Sequence, residues 1–194
     1  MWDGVSVVTR PTAELIPLAT LKQWLSIEHS DDDALLEQML RGAIARIDGP
    51  QGIGYAMMRQ TWRKSKDFFP SCFLLPGAPV KKIVSVNYVD PSGATKTLPE
   101  DHYRLDADSE PARLSPAIGK SWPAAARVDG AVKVEYLLGE DSADNVAADL
   151  IDAVCMIVGH RYRNREAGSS DKIETLPLGV EWILNEHARC HVAA

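Results

Sequence analysis

Seven residues near the end of the chain, HRYRNRE at positions 160–166, concentrate side chains that could bind an anion. Arg161, Arg163 and Arg165 alternate there with uncharged residues, in a chain whose formal net charge is −6. A guanidinium donates paired hydrogen bonds to phosphate or carboxylate oxygens, so the cluster could contact nucleic acid or form ion pairs within the protein. Residues two positions apart lie about 200° apart on a helix, so the arginines fan around it. This favours a helix end with specific ion pairs over a DNA-reading edge.

A second basic stretch surrounds Trp62 and contains Arg59, Arg63 and Lys64. These side chains could contact phosphates, or they could form the solvated face of a strand, which is the favoured interpretation. A protein whose main task is DNA binding would need the two basic stretches to join into one continuous face. The sequence leaves both alternatives open.

Two histidines, His187 and His191, lie one helical turn apart in NEHARCH, a spacing that can bind zinc. The zinc-protease pattern places a glutamate directly after the first histidine, whereas Ala188 follows it here. Both histidines also continue an apolar stripe of the last predicted helix, which contains Val180, Ile183 and Leu184. Packing is therefore favoured over metal binding.

Motifs for other chemistry are missing from the sequence. There is no G-x-S-x-G, G-x-G-x-x-G or phosphate-binding G-x-x-x-x-G-K-[ST], and the three cysteines, Cys72, Cys155 and Cys190, form no C-x-x-C pair. The sequence therefore predicts no enzyme, no metal site and no cofactor.

Trp182 lies opposite the apolar stripe of that last helix, beside Glu181, Asn185 and Arg189. Tryptophan and arginine are common anchors of protein interfaces, so a partner or a neighbouring subunit could cover this indole. The alternative is that Trp182 packs under residues 167–177 or under a β subdomain.

Helical spacing of apolar residues predicts about four helices to position these groups. They run over residues 18–27, from a cap at Ser30 or Asp31 to Gly49, from about residue 142 to about residue 165, and roughly over 179–190. The third helix carries aspartates in its first half and arginines in its last turns, an order that the helix dipole favours.

Alternation and β-branched residues predict strands between Gly49 and Gly139, in QTWRKSKDFF, PVKKIVSVNYVD, HYRLD and AVKVEYLLG. In the second of these, Val84, Val86 and Tyr88 are predicted to share one face. The predicted fold class is α+β: a mainly helical domain with an inserted small antiparallel β subdomain. Residues 1–50 form the N-terminal helices, 51–140 the β subdomain, and 141–194 the C-terminal helices that complete the helical domain.

Composition limits the class of protein. The chain is 45% hydrophobic and 25% charged, and its acidic balance argues against a protein that coats DNA or an anionic membrane. No apolar stretch approaches the ~20 residues that span a bilayer, and the start of the chain lacks a signal-peptide pattern. A soluble, non-secreted, globular protein is expected.

The order of these parts resembles a family, the head–tail connector (adaptor) proteins of long-tailed bacteriophages and related gene transfer agents. LATLKQWLSIEHSDDDALLEQMLRGAIARIDG is similar to the family's opening, with matches at Lys22, Leu25, Asp31–Asp33, Leu35 and Ala43. QTW, PVKKIVSVNYVDPSG, Tyr103, WP at 122–123 and VKVEYLLG resemble its middle segment, and HRYRNRE and LPLGVEWILNEHAR resemble its closing helices. The chain departs from the family at Pro17, where a threonine cap is common, and at residues 187–189.

The resemblance implies a structural virion protein that forms a ring of twelve subunits in the particle. The ring would dock under the portal, extend the DNA exit channel and provide the platform for stopper or tail-completion proteins. An isolated subunit could stay monomeric until the portal templates the ring. The protein would assemble in the host cytoplasm and reside at the head–tail junction, touching DNA only in passage and no membrane.

Within this interpretation, ring faces are expected on the second and third helices and on the β subdomain, and the last helix is expected to engage the portal. The predicted portal or subunit contacts are Arg161, Arg165, Glu166, Trp182 and Arg189. The predicted DNA-channel or phosphate contacts are Arg59, Arg63, Lys64 and Arg163. Two other functions remain open: a DNA-packaging or DNA-binding accessory protein, and a metal-dependent hydrolase that uses His187, His191 and an aspartate.

Overall fold

Four α-helices and eight β-strands occupy the residues that the computed structural model describes, 4–164 and 178–189. The helices are α1 (Leu18–Leu25), α2 (Asp33–Ile47), α3 (Ala148–Arg163) and α4 (Leu178–His187). The strands are β1 (Val5–Thr9), β2 (Gln60–Lys66), β3 (Phe73–Leu75), β4 (Val80–Val89), β5 (Thr95–Thr97), β6 (Tyr103–Asp106), β7 (Ala112–Pro116) and β8 (Val132–Leu138). No helix in these two ranges is long and apolar enough to cross a bilayer.

The α+β class is confirmed, but the prediction of a mainly helical protein is wrong. Helix accounts for 31% and strand for 28% of the described structure. Much of the missed strand content lies in strands of three to five residues, such as β3, β5 and β7. Elements this short have too few residues to show a clear alternation of apolar and polar side chains.

Two antiparallel sheets share one core. The larger has the order β1-β2-β8-β4-β5 and the smaller has the order β3-β7-β6. Between them Trp62, Tyr136, Phe73, Leu75 and Leu114 are almost completely buried. The edge strand β1 was not predicted, because it lies in the segment assigned to N-terminal helices and pairs with β2, a strand more than fifty residues away.

Strand β4 departs from the predicted alternation. Val86 is buried as expected, but Val84 is 47% exposed and Ile83 is buried instead. In the pairing with β8, Ile83 opposes Tyr136 and Ser85 opposes Glu135, so Val84 is the extra residue of a β-bulge. A bulge reverses the inward and outward sense of the residues that precede it, which simple alternation does not reveal.

The helices build a second core. α2 packs along α3 through Leu36, Leu40, Ala43 and Ile47, which meet Leu150, Val154, Ile157 and Val158. α1 and α4 also pack on α3. The buried residues of α2 and α3 therefore have the helical spacing from which these two helices were predicted.

A buried polar network joins the end of α2 to β2. Asp48 Oδ1 accepts hydrogen bonds from the Met57 N–H at 2.8 Å and from Gln60 Nε2 at 3.0 Å. Gln60 Oε1 accepts a hydrogen bond from Trp62 Nε1 at 2.7 Å. Burial raises the pKa of Asp48, although these hydrogen bonds oppose the shift. The network connects the helical core to the sheet core through one carboxyl group.

Asp48→Asn is expected to change how stability depends on pH. The pKa of Asp48 is higher in the folded protein than in the unfolded chain, where it is near 3.8. Between these two pKa values the folded state binds more protons, so the contribution of Asp48 to the free energy of unfolding falls as pH rises. Urea unfolding of the parent and Asp48→Asn between about pH 4 and about pH 7 should show that the free energy of unfolding falls more, or rises less, with pH in the parent than in the variant. Asp129→Asn, an exposed aspartate outside the network, serves as the control; equal slopes in parent and Asp48→Asn would contradict the expectation.

Candidate partner-binding surface

Helix α4 is held against the rest of the chain at both ends. At its start, a Cβ placed on Gly179 would lie 3.4 Å from Met156 Cε, so the helix approaches α3 closely. Val180 is completely buried there. At its end, His187 Nε2 lies 2.7 Å from Asp149 Oδ2 on α3. A helix fixed at both ends presents its outer face in a defined orientation.

Trp182 lies on that outer face. Its side chain is 69% exposed, and its neighbours on the same helix, Glu181, Asn185 and Glu186, are also exposed. Ile183 and Leu184 point the other way and pack on the helical core. The structure therefore presents one indole among carboxylates on the outer face of α4. Such a surface suits a partner that offers cations or aromatic rings.

Arg189, predicted to touch a partner, makes several contacts within its own chain. Its Nη1 lies 3.3 Å from Glu110 Oε2, and its guanidinium carbon lies 5.7 Å from the centre of the Tyr55 ring. The Arg189 N–H donates to the Ile53 carbonyl at 2.9 Å. These contacts attach the residues after α4 to the β6–β7 connection and to the segment after α2. Arg189 thus positions α4, while Trp182 is the side chain that α4 presents.

The end of α3 meets α2. A Cβ on Gly42 would lie 2.9 Å from Arg161 Nη1, so this guanidinium lies directly over α2. Tyr162 donates a hydrogen bond of 2.6 Å to Asp32 Oδ2 at the start of α2. Arg163 is exposed. Arg165 and Glu166 lie outside the described residues, so their predicted contacts stay predictions.

The aspartates at the start of α2, Asp32 and Asp33, form hydrogen bonds to other helices. The expected cap by Ser30 or Asp31 is not formed, because α2 begins at Asp33 and its N-cap residue makes no side-chain cap. Asp32 instead accepts the Tyr162 hydrogen bond, and Asp33 Oδ1 accepts from Lys22 Nζ at 2.7 Å. These two carboxylates connect the start of α2 to α3 and to α1.

The second basic stretch does not form an open basic face. Arg59 Nη2 lies 2.5 Å from Asp141 Oδ1. Arg63 donates to Glu135 Oε1 from Nε at 3.0 Å and from Nη2 at 2.7 Å. Lys64 is buried, because strand alternation turns it to the opposite face from Arg63. Lys64, predicted as a phosphate contact, therefore does not face solvent, and the two arginines are paired with the chain's own carboxylates.

His187 packs against side chains of its own chain, the role that the sequence favours over metal binding. Besides the contact with Asp149, its ring meets the edge of Tyr55 with a centroid separation of 6.1 Å. His191 lies outside the described residues. Within 4–164 and 178–189, no group of three or more His, Cys, Asp or Glu side chains is arranged to hold a metal ion.

The helical spacing of Leu18, Leu21, Trp24 and Leu25 predicts one apolar stripe on the first helix, but the Trp24 indole is exposed. Trp24 is 48% exposed. Its ring lies near Gly159 of α3, where an added Cβ would be 3.5 Å from Trp24 Cζ3. In α1, a helix of eight residues, Leu21 is the residue that is fully buried, so helical spacing alone overstated the buried stripe.

The chain resembles known proteins in its fold, as comparison with solved structures shows. No protein-family model matches the chain, and no curated protein matches it. Several solved structures do. A chain from the neck of an empty gene transfer agent (GTA) particle, computed with C6 symmetry, matches with a TM-score of 0.76 and 24% identity over 97% of each chain.

Two further structures show the same fold. A chain from the virion of a native GTA particle matches with a TM-score of 0.75 and 23% identity. A chain from the neck of a native GTA particle, computed with C12 symmetry, matches with a TM-score of 0.73 and 24% identity. Both matches cover 97% of each chain. At these identities the likeness establishes the fold, which is that of chains found in the necks of GTA particles.

Proposed function

We propose that this chain is a structural virion protein that forms the head–tail connector ring of a tailed phage or gene transfer agent. The observation that carries the proposal is the fold match over 97% of both chains to a component of a neck computed with C12 symmetry. The resemblance of the sequence motifs to connector proteins supports the same assignment. The proposed role is mechanical and requires no catalytic centre.

Charge supports passage of DNA through such a ring. The chain carries a formal net charge of −6, and Arg59 and Arg63 are paired with carboxylates. A channel wall of like charge does not hold DNA tightly, so the DNA can slide. The same pairs argue against the alternative of a DNA-binding accessory protein, which needs an open basic face. Arg163, which is exposed, remains the candidate for a phosphate contact.

We assign portal binding to the outer face of α4, centred on Trp182. The predicted subunit contacts at the end of α3 are Arg161, Arg165 and Glu166. The opposite face of the ring would receive stopper or tail-completion proteins. The ring would contain twelve copies in the virion and assemble in the host cytoplasm.

Assembly with the portal protein encoded in the same genome tests the proposal. The purified chain and the portal are mixed, separated by size and viewed by negative-stain microscopy. The expected result is a second ring stacked on the portal, with co-purification of the two proteins. Portal rings without a second layer, together with no co-purification, would refute the proposed function.

A further inference from the structure

A long recess lies between the N-terminal segment and α2. Its volume is about 1160 Å³. β1 and the residues that follow it form one wall, α2 forms the other with Ile44 and Ala45, and Met57 and Met58 lie at the base. A recess of this volume can hold several side chains of another protein segment.

The strand beside the recess has an open edge. β1 has the sequence VSVVT, and among the described residues β2 is its partner on one side and no strand pairs with the other. It contains no charge and no proline, and Val8 is 42% exposed. Proteins usually protect edge strands with charges, prolines, short length or a covering element. The opposite edge, β5, is protected in this way, since it has three residues and carries Lys96. β1 has five residues without charge or proline, and a bulge at Val8 is the one protective feature among its described residues, so this edge is open to contact with another chain.

An apolar tip projects from the same sheet. Phe68 is 62% exposed and Val128 is 50% exposed, and both line one small cleft at the strand ends. Asp67 Oδ1 accepts a hydrogen bond of 2.7 Å from the Gly130 N–H, which ties the two loops of the tip together. The tip therefore presents two apolar side chains on a preorganised support.

We propose that the recess of one copy receives the tip of the next copy around the ring, an inference that rests on the proposed connector function. A ring needs two different, complementary surfaces on each subunit, and the recess and the tip are such a pair. Each surface carries both signs of charge, Arg127 and Asp129 at the tip and Arg10 and Glu14 at the recess, and we infer that Arg10 meets Asp129. Arg10 at the rim of the recess and Asp129 at the tip are exposed, and neither has an ion pair with a described residue.

Cross-linking of assembled rings tests this contact. Ala45→Cys, an exposed position of the recess, is combined with Asp129→Cys in a chain with Cys72→Ser and Cys190→Ser. After assembly on the portal, a short thiol-specific cross-linker is expected to give a ladder of multimers. The control combines Ala45→Cys with Ile118→Cys, which is 93% exposed and outside the tip, and is expected to give monomer. Thermal unfolding of both variants verifies that they fold.

The outcomes separate the contact from the function. Rings that form but give no ladder, or that cross-link only within one copy, overturn the recess–tip contact and leave the connector function intact. If no ring forms with the parent chain, both are overturned. A ladder in the first pair alone supports the contact.

Charge reversal provides an independent measurement. Arg10→Glu is expected to lower the association constant of each subunit contact about fivefold, because it places a glutamate next to Asp129 of the neighbouring copy. Adding Asp129→Arg is expected to restore it. If Arg10→Glu has no effect, or if Asp129→Arg does not restore assembly, the proposed pairing of recess and tip is wrong.

Discussion

Trp182→Ala weakens binding to the portal by about 2 kcal/mol or more, about 30-fold, if α4 forms the proposed contact. The side chain is 69% exposed, so its loss removes little from the chain's own core. The free energy of unfolding is therefore expected to change by no more than about 0.5 kcal/mol. Binding of the isolated chain to immobilised portal and urea unfolding measure the two quantities separately.

Trp24→Ala is the matched control for this variant. It removes an indole that is 48% exposed, lies on α1 and touches α3 at Gly159. Portal binding is expected to stay within about twofold of the parent, since α1 lies outside the proposed contact. If Trp24→Ala weakens binding as much as Trp182→Ala does, α4 is not the specific portal contact.

Arg189→Ala distinguishes positioning from direct contact. Arg189 holds the residues after α4 through Glu110, Tyr55 and Ile53. Its loss should lower both portal binding and thermal stability, because α4 is held less firmly. Trp182→Ala should lower binding alone.

Gly139→Ala is expected to have the second large effect, a loss of stability where the helical core meets the sheet core. Gly139 follows β8 with φ of 88°, and an added Cβ would lie 2.2 Å from the Met58 carbonyl oxygen. The neighbouring backbone groups are engaged: the Gly139 N–H donates to Pro79, and the Glu140 N–H donates to Met57. Gly139→Ala therefore combines backbone strain of about 1–3 kcal/mol with overpacking of about 1–3 kcal/mol. A total loss of about 2–6 kcal/mol is expected in urea unfolding.

Gly93→Ala separates these two contributions. Gly93 has the same φ of 88°, but nothing lies within 4 Å of an added Cβ. Its substitution should therefore lower the free energy of unfolding by the strain alone, about 1–3 kcal/mol. Equal losses in the two variants would show that the approach to Met58 relaxes without penalty.

The candidate site was only partly predictable. Trp182 was identified because helical periodicity states which residues lie opposite an apolar stripe. The role of Arg189 was not, since its contacts with Glu110 and Tyr55 join residues far apart in the chain. The recess and the tip escaped detection for a similar reason. Their residues come from separated segments, and Phe68 and Val128 belong to loops with no periodicity.

The sequence by itself determined the four helices, the buried faces of α2 and α3 and the longer strands, because apolar spacing of 3.6 or 2 residues is a local property that burial of one face requires. The tertiary structure decided which distant groups meet. It paired β1 with β2, inserted the bulge at Val84, and matched Arg63 with Glu135 while burying Lys64. Strand register sets these outcomes, and register depends on the packing of whole sheets, which no short stretch of sequence specifies.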